Sequence, residues 1–523
     1  MIRRLTALLA LLLAPSCAGP AEEAAGPEPA TTDVGKLRGV IDGDVVRFRG
    51  VPYALAPVGE RRWAPPEPVA PWAGERKASR SGPPCAQAGA DVAQGRTAED
   101  CLHLDVTAPA RPGSNRPVMV WLHGGGFSGG SGSEFDPRRM AVEGDVVVVT
   151  VDFRLGIMGY LALPGMPEGG ALGLADQQEA LRFLRRNAAA FGGDPRNITL
   201  FGESGGGIAV CAQLTSPSAR GLFDRAILQS AGPCVAGLPP GGAGRGAPAV
   251  SFWRSVADVE GDGLRAAARL GCPDPAGALA CLRELPVERV LTEHMTFAAA
   301  AVGGNLLPAD PLDALQAGDV APAPVLTGFN HDESRLMAGT AALLGQPIRD
   351  EEYPDLITAA FGDRAAGVLQ QYPLDRYSSG AEAWATVHTD RGWACPQLVA
   401  NDALAAHRPV HAYEFGDRTA PPYIPFLPGA LEPGAAHASE LAYLFDVADK
   451  PIDIQGNHVP LTAEQLALGS RMIRSWTEFA RTGDPGGPRW HPDTREAVSF
   501  GGPHLLERPW TEHRCDFWAA QLP

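Results

Sequence analysis

The sequence predicts an α/β fold built on a mainly parallel central sheet, with helices on both faces and irregular loops inserted over one end. Three observations carry this expectation. Short apolar runs near 117–123, 145–151, 197–203, 225–230, 323–328 and 409–415 alternate with helical patterns near 174–190, 204–215 and 464–482, and strands separated by helices pair in parallel. The run Val146-Val-Val-Val-Thr-Val151 is almost uniformly apolar, as a central strand covered on both faces must be. The Pro/Gly-rich stretches 235–250 and 416–436 fall between core elements, where such a fold carries its long connections.

Taken along the chain, Met1-Ile-Arg3-Arg4 and the apolar run Leu5 to Ala14 form a positive n-region and a short h-region, too short to span a bilayer. Residues 1–17 are therefore expected to direct export. The run ends Leu13-Ala-Pro-Ser-Cys17, and Cys17 behind a small residue resembles the lipidated cysteine of a bacterial lipoprotein, which would anchor the protein to the cell envelope. The alternative is cleavage near Ala18 or Ala21 and secretion. Residues 18–33, rich in Ala, Pro and Glu, are expected to be a flexible leader, and 34–523 one large domain, because the motifs of one site are spread along it. Lys36 to Ala54 reads as an antiparallel hairpin turning at Asp42-Gly43. The 235–250 stretch is expected to be the disordered interior loop.

Of the 523 residues, 45% are hydrophobic, ample for a core, and the formal charge is −16. With no basic run to neutralise phosphates, a nucleic-acid partner is excluded. Eight cysteines follow Cys17; an even number in an exported chain suggests disulfides. No His/Cys/Asp cluster has metal-ligand spacing, so no metal and no cofactor is expected.

The chemistry starts at Phe191-Gly-Gly-Asp-Pro-Arg-Asn-Ile-Thr-Leu-Phe-Gly-Glu-Ser204-Gly-Gly206, where an apolar strand runs into Gly-x-Ser-x-Gly and then a helix. This is the nucleophile elbow of an α/β-hydrolase fold. Gly202 and Gly206 permit a turn that leaves the Ser204 hydroxyl exposed as nucleophile. Upstream, a strand ends in His123-Gly124-Gly125-Gly126-Phe127. In this fold such a loop donates backbone N–H groups to a developing oxyanion, and Gly125, Gly126 and Gly205 are the candidates. A phosphate-binding loop would need Gly-Lys-Ser/Thr or a Gly-x-Gly-x-x-Gly helix start, and neither is present.

Serine needs a base, and the base an orienting acid, in the chain order Ser, Asp/Glu, His. The strand from Pro324 runs into Asn330-His-Asp332-Glu333-Ser334, which leaves Asp332 and Glu333 as competing acids. On the loop after the last core strand, Gly434-Ala-Ala-His437-Ala-Ser-Glu440 offers His437 as base. His458, His491, His504 and His513 come later and match no catalytic motif.

The segment 191–206 and a second signature, Glu99-Asp-Cys101-Leu-His103-Leu-Asp-Val106, resemble those of the type-B carboxylesterase family, with His103 departing from the usual residue. The resemblance extends from about Val40 to Leu522. It implies ester hydrolysis through an acyl-enzyme and favours Glu333, although Ser334 replaces the family's glycine. It also implies that Glu203 and Glu440 lie near Ser230 behind the site and tune His437. Arg62 with Glu99 and Arg154 with Asp176 resemble its structural ion pairs. Cys85 with Cys101, Cys272 with Cys281 and Cys395 with Cys515 resemble its disulfides, while Cys211 and Cys234 are left either bridged or as two buried thiols. The Cys85–Cys101 loop lacks the tryptophan that holds choline in cholinesterases, so the expected partner is a small, uncharged ester. The same groups would serve an amidase or carbamate hydrolase, and non-catalytic binding relatives of the fold exist.

Overall fold

Strand alternation decides the architecture. In the computed structural model, which describes residues 29–88, 97–447, 450–503 and 505–522, eleven strands of the described residues form the central sheet: β1 (Val40–Asp42), β2 (Val45–Pro52), β3 (His103–Pro109), β4 (Arg116–Leu122), β5 (Val147–Val151), β6 (Gly193–Glu203), β7 (Arg225–Gln229), β8 (Val325–Asn330), β9 (Val410–Phe415), β10 (Ala497–Phe500) and β11 (Leu506–Glu507). Their order is β11-β10-β9-β8-β7-β6-β4-β5-β3-β2-β1. The seven strands from β5 across to β10 pair in parallel, and the strands at both edges are antiparallel. The expected signal segment, Cys17 and His504 lie outside the described residues.

Successive side chains leave opposite faces of a strand, and both faces here are apolar. On β4, Val118, Val120 and Leu122 join one core cluster while Met119 and Trp121 join a second; on β5, Val147, Val149 and Val151 face the first and Val148 the second. Helices α1 (Leu172–Asn187) and α2 (Gly205–Thr215) contribute Leu181, Leu184, Ile208 and Val210 to the first. Helix α3 (Ala463–Thr482) closes the other face with Met472, Ile473, Trp476 and Phe479. Its start is set by a capping box: Thr462 Oγ1 accepts from Gln465 N at 3.2 Å and Gln465 Oε1 from Thr462 N at 3.0 Å.

Local expectations need correction in four places. The expected leader, of which 18–28 lie outside the described residues, does not extend to residue 33, because Ala30–Thr32 is a strand paired with Gly35–Arg38, tied down by Asp33 N donating to Asn187 Oδ1 at 2.8 Å. The hairpin is likewise split: Gly35–Arg38 leaves for a small separate sheet with Glu75–Lys77, and only β1 pairs with β2. The helix expected to reach 190 stops at Asn187 and tightens into a 3-10 turn, Ala188–Phe191. The 235–250 stretch follows a defined path, since Leu238 and Val250 exchange backbone bonds and Arg245 pairs with Glu352 at 2.7 Å.

All eight cysteines in the described residues are bridged, as Cys85–Cys101, Cys211–Cys234, Cys272–Cys281 and Cys395–Cys515. The open pair, Cys211 and Cys234, is thus a disulfide joining α2 to the segment after β7. Sequence separations are 16, 23, 9 and 120 residues. In the chain-entropy picture the longest loop constrains the unfolded state most, by about 4.7 kcal/mol against about 3 for a 15-residue loop. Equilibrium unfolding should therefore show a larger loss for Cys395→Ala/Cys515→Ala than for Cys272→Ala/Cys281→Ala; the opposite ranking would refute the loop-length account.

Candidate active site

Strands β4, β6, β8 and β9 all end on the same edge, so the segments that follow them converge there, as ligand-binding loops do in open α/β sheets. Strand β6 ends at Glu203 and α2 begins at Gly205, leaving Ser204 on the bend with φ 54° and ψ −124°. That is a conformation few side chains adopt. The bend closes because its flanks are glycine: a Cβ on Gly202 would lie 2.6 Å from the Gly206 carbonyl carbon and 2.7 Å from Leu122 O.

The loop after β4 folds over Ser204. Gly125 and Gly126 have φ +102° and +58°, and a Cβ on Gly205 would stand 2.6 Å from Gly126 N, so these amides are neighbours. The loop is braced from outside. Ser128 N and Gly129 N donate to Gly125 O at 3.0 and 3.1 Å, and Gln87 bonds Gly130 at both its N–H (2.8 Å) and its C=O (3.0 Å). His123 also borders the site. Burial lowers it to about 4, and its Nδ1 lies 2.9 Å from Gly124 O, so it stays neutral and supports the loop.

Glu333 and His437 meet. His437 Nδ1 donates to Glu333 Oε2 at 2.5 Å, and His437 N donates to Glu333 O at 3.1 Å. The other carboxylate oxygen accepts from Ser230 Oγ at 2.6 Å and Asn330 N at 2.8 Å. Glu333 is fully buried. Asp332 points elsewhere: it accepts from Ala435 N at 3.0 Å and pairs with Arg335 at 3.3 Å. Although buried, it is held below the usual carboxylate range by the His331 hydrogen bond and by the charges of Arg335, His331 and Arg418. Of these two neighbours it is Glu333 whose carboxylate meets the His437 ring.

Around this pair lies a buried polar cluster. Glu203 Oε1 is 3.2 Å from His437 Nε2. Glu440 accepts from Asn330 Nδ2 at 2.6 Å and Gln229 Nε2 at 3.1 Å, and Gln229 is itself held by Trp476 Nε1 at 2.9 Å. Ser230 reaches the cluster through Glu333. The Trp393 ring packs on His437 with centroids 4.4 Å apart. Asn330, Gln229, Trp393 and Trp476 were not singled out from sequence; only Asn330, inside the Asn330-His-Asp-Glu run, carried a local signal. Burial, with the nearby charges of Glu440 and Glu333, pushes Glu203 up against the offsetting charge of His437. Burial, then the charge of Glu333, raises Glu440 to about 6. For His437 burial acts downward, but Glu203 and Glu333 outweigh it and lift it to about 9. Across the Glu203–His437 contact each group favours the charged form of the other.

Ser204, His437, Glu203, Gly124 and Gly125 line one cavity of about 410 Å³. Its lining also includes Phe135, Leu336, Tyr423 and Leu441, apolar surface beside a few convergent polar groups, as small-molecule sites have. The two ion pairs expected to be structural lie apart from it: Arg62 meets Glu99 at 2.5 Å and Arg154 meets Asp176 at 2.7 Å.

Comparison with known proteins identifies the family of the chain. The sequence profile of the carboxylesterase family matches residues 27–518. A para-nitrobenzyl esterase of Bacillus subtilis is 32% identical over 507 residues, covering 92% of this chain and 97% of that protein. An acetylcholinesterase of Bungarus fasciatus is 31% identical over 579 residues, covering 98% and 89%. A carboxylesterase of Geobacillus stearothermophilus superposes with a TM-score of 0.76 at 32% identity, covering 93% of this chain and 99% of its own. With the match running nearly end to end on both sides, the chain belongs to the carboxylesterase family and is a carboxylic ester hydrolase.

Proposed function

We propose that Ser204 is the nucleophile, His437 the general base and acid, and Glu333 the acid that orients it, acting on small uncharged esters through an acyl-enzyme. Ser204 Oγ attacks the ester carbonyl while His437 Nε2 takes its proton. The oxyanion is held by the amides of Gly125, Gly126 and Gly205. His437 then protonates the departing alcohol, and a water activated by the same nitrogen releases the acid. The observation that carries this reading is the 2.5 Å Nδ1–Oε2 bond between His437 and Glu333 in the wall of the cavity that Ser204 shares. Glu203, Ser230 and Glu440 support it through the buried cluster around His437 and Glu333. Turnover of a graded set of p-nitrophenyl acyl esters, with labelling of Ser204 by an organophosphonate, tests it; absence of both turnover and label would overturn it.

The charge around His437 sets the pH dependence. Only neutral imidazole accepts the serine proton, so an upward shift moves the active form to higher pH. On an uncharged ester, kcat/KM should rise with pH through an apparent pKa above the ordinary value of about 6.5. Glu203→Gln removes the largest upward influence, so the rise should move to lower pH. An unmoved profile would separate Glu203 from the base.

Export is part of the same proposal. It is supported by the signal-like segment ending at Cys17 and by four disulfides, which persist in oxidising compartments. Lipidation of Cys17 would tether the enzyme to the envelope.

A further inference from the structure

A second cavity, of about 480 Å³, opens beyond the ends of β8 and β9 and is bordered by His331, Glu414, Arg418 and Glu512. The fold brings His513 against it from the C-terminal segment: His513 Nε2 is 3.3 Å from Glu414 Oε1, and His331 Nε2 is 3.8 Å from the same oxygen. The three donor atoms lie within 4.8 Å of one another. Tetrahedral zinc with bonds of about 2.0–2.2 Å sets its ligand atoms about 3.3–3.5 Å apart, so a contraction of at most about 1.5 Å would bring these three to the spacing of a tetrahedral shell and leave one position for a fourth donor.

The surroundings are those of a ligating set. His513 Nδ1 donates to Asp390 Oδ1 at 2.6 Å, and the other oxygen of Asp390 accepts from Tyr372 at 2.7 Å. That bond fixes the tautomer and turns Nε2 toward Glu414, the carboxylate–histidine arrangement that orients metal ligands. Glu414 is 2% exposed; its Oε1, the oxygen facing the two histidines, is hydrogen-bonded to His513 Nε2 at 3.3 Å, while its Oε2 has no hydrogen-bond partner, so the buried carboxylate is under-satisfied. Glu512 Oε1, 2.8 Å from His331 Nε2, is placed to serve as a fourth donor. The opposing charge is Arg418, whose guanidinium is 3.0 Å from His331 Nε2 and 3.5 Å from Asp332; its side chain is 57% exposed, so it would have to turn toward solvent as the ion enters.

We infer that His331, Glu414 and His513 form a binding site for a zinc-like divalent cation. Two imidazoles and a carboxylate suit zinc rather than the all-oxygen shells of calcium or magnesium. Bound there, the ion joins the segment leading to Glu333, strand β9 and the C-terminal segment beside Cys515. The spacing of these residues along the chain concealed the cluster.

The test titrates chelator-stripped, full-length protein with zinc sulfate against a chromogenic chelator, followed by X-ray absorption. One equivalent of zinc should bind with two imidazole nitrogens in its shell, and calcium and magnesium should not compete. Asp390→Asn should weaken binding about 10- to 100-fold, and His331→Asn and Glu414→Gln should each weaken it by more than about 100-fold, beyond that outer-shell range. His437→Ala should leave it unchanged. His331 is partly exposed, so its variant carries the test if a buried one fails to fold. No binding by the wild type, wild-type affinity in His331→Asn, or loss in His437→Ala would overturn the site.

Discussion

Ser204→Ala is expected to lower kcat on the order of 10⁶-fold and to abolish labelling by an organophosphonate. Alanine removes the atom that forms the acyl bond, and the members of such a triad act as a unit, so removing one forfeits nearly the whole chemical contribution. The amides of Gly125, Gly126 and Gly205 would remain, leaving a residual 10³- to 10⁴-fold, roughly, over water. The substitution should leave the fold intact, because the bend depends on Gly202 and Gly206 and on Ser204 N donating to Gln229 O at 3.0 Å. Thermal unfolding close to wild type alongside lost turnover is the expected pair of results. Wild-type turnover by Ser204→Ala would remove the nucleophile assignment altogether.

Glu333→Gln is expected to lower kcat by about 10⁴-fold, whereas Asp332→Asn should keep kcat within about tenfold. An amide at 333 cannot stabilise the imidazolium formed as Ser204 loses its proton, and it would present the wrong hydrogen-bond polarity to Nδ1. Asp332 instead serves its loop, through Ala435 N and Arg335. Its substitution should therefore appear in the unfolding midpoint, since it leaves Arg335 with one charged partner fewer. Steady-state kinetics and thermal unfolding of both variants decide the matter; the reverse ranking in kcat would move the acid to Asp332.

Local geometry was legible wherever it is written into contiguous residues. Gly202-Glu-Ser204-Gly-Gly206 demands its own bend, since only glycine fits on either side, and the strand before it and the helix after it follow from apolar pattern. The glycine loop after β4 declared itself in the same way. Glu333 and His437 are proposed from chain order and family resemblance, and the residues alone did not divide Glu333 from Asp332. Adjacent side chains on a loop leave in different directions, and which one meets a histidine a hundred positions later depends on the path of both loops.

What the sequence determined by itself is therefore the local and the periodic: an α/β sheet buried on both faces, the serine elbow, the glycine loop and a set of cysteines able to pair. Tertiary structure alone decided what depends on distant segments arriving together. It turned Glu333 toward His437 and Asp332 toward Arg335, brought Glu203 and Glu440 into the buried cluster that lifts His437, joined Cys211 to Cys234, and gathered His331, Glu414 and His513 at one point. The physical reason is the same in each case. Backbone conformation is set by neighbours in sequence, whereas a contact energy, a hydrogen bond or a pKa is set by neighbours in space, and for these residues the two sets hardly overlap.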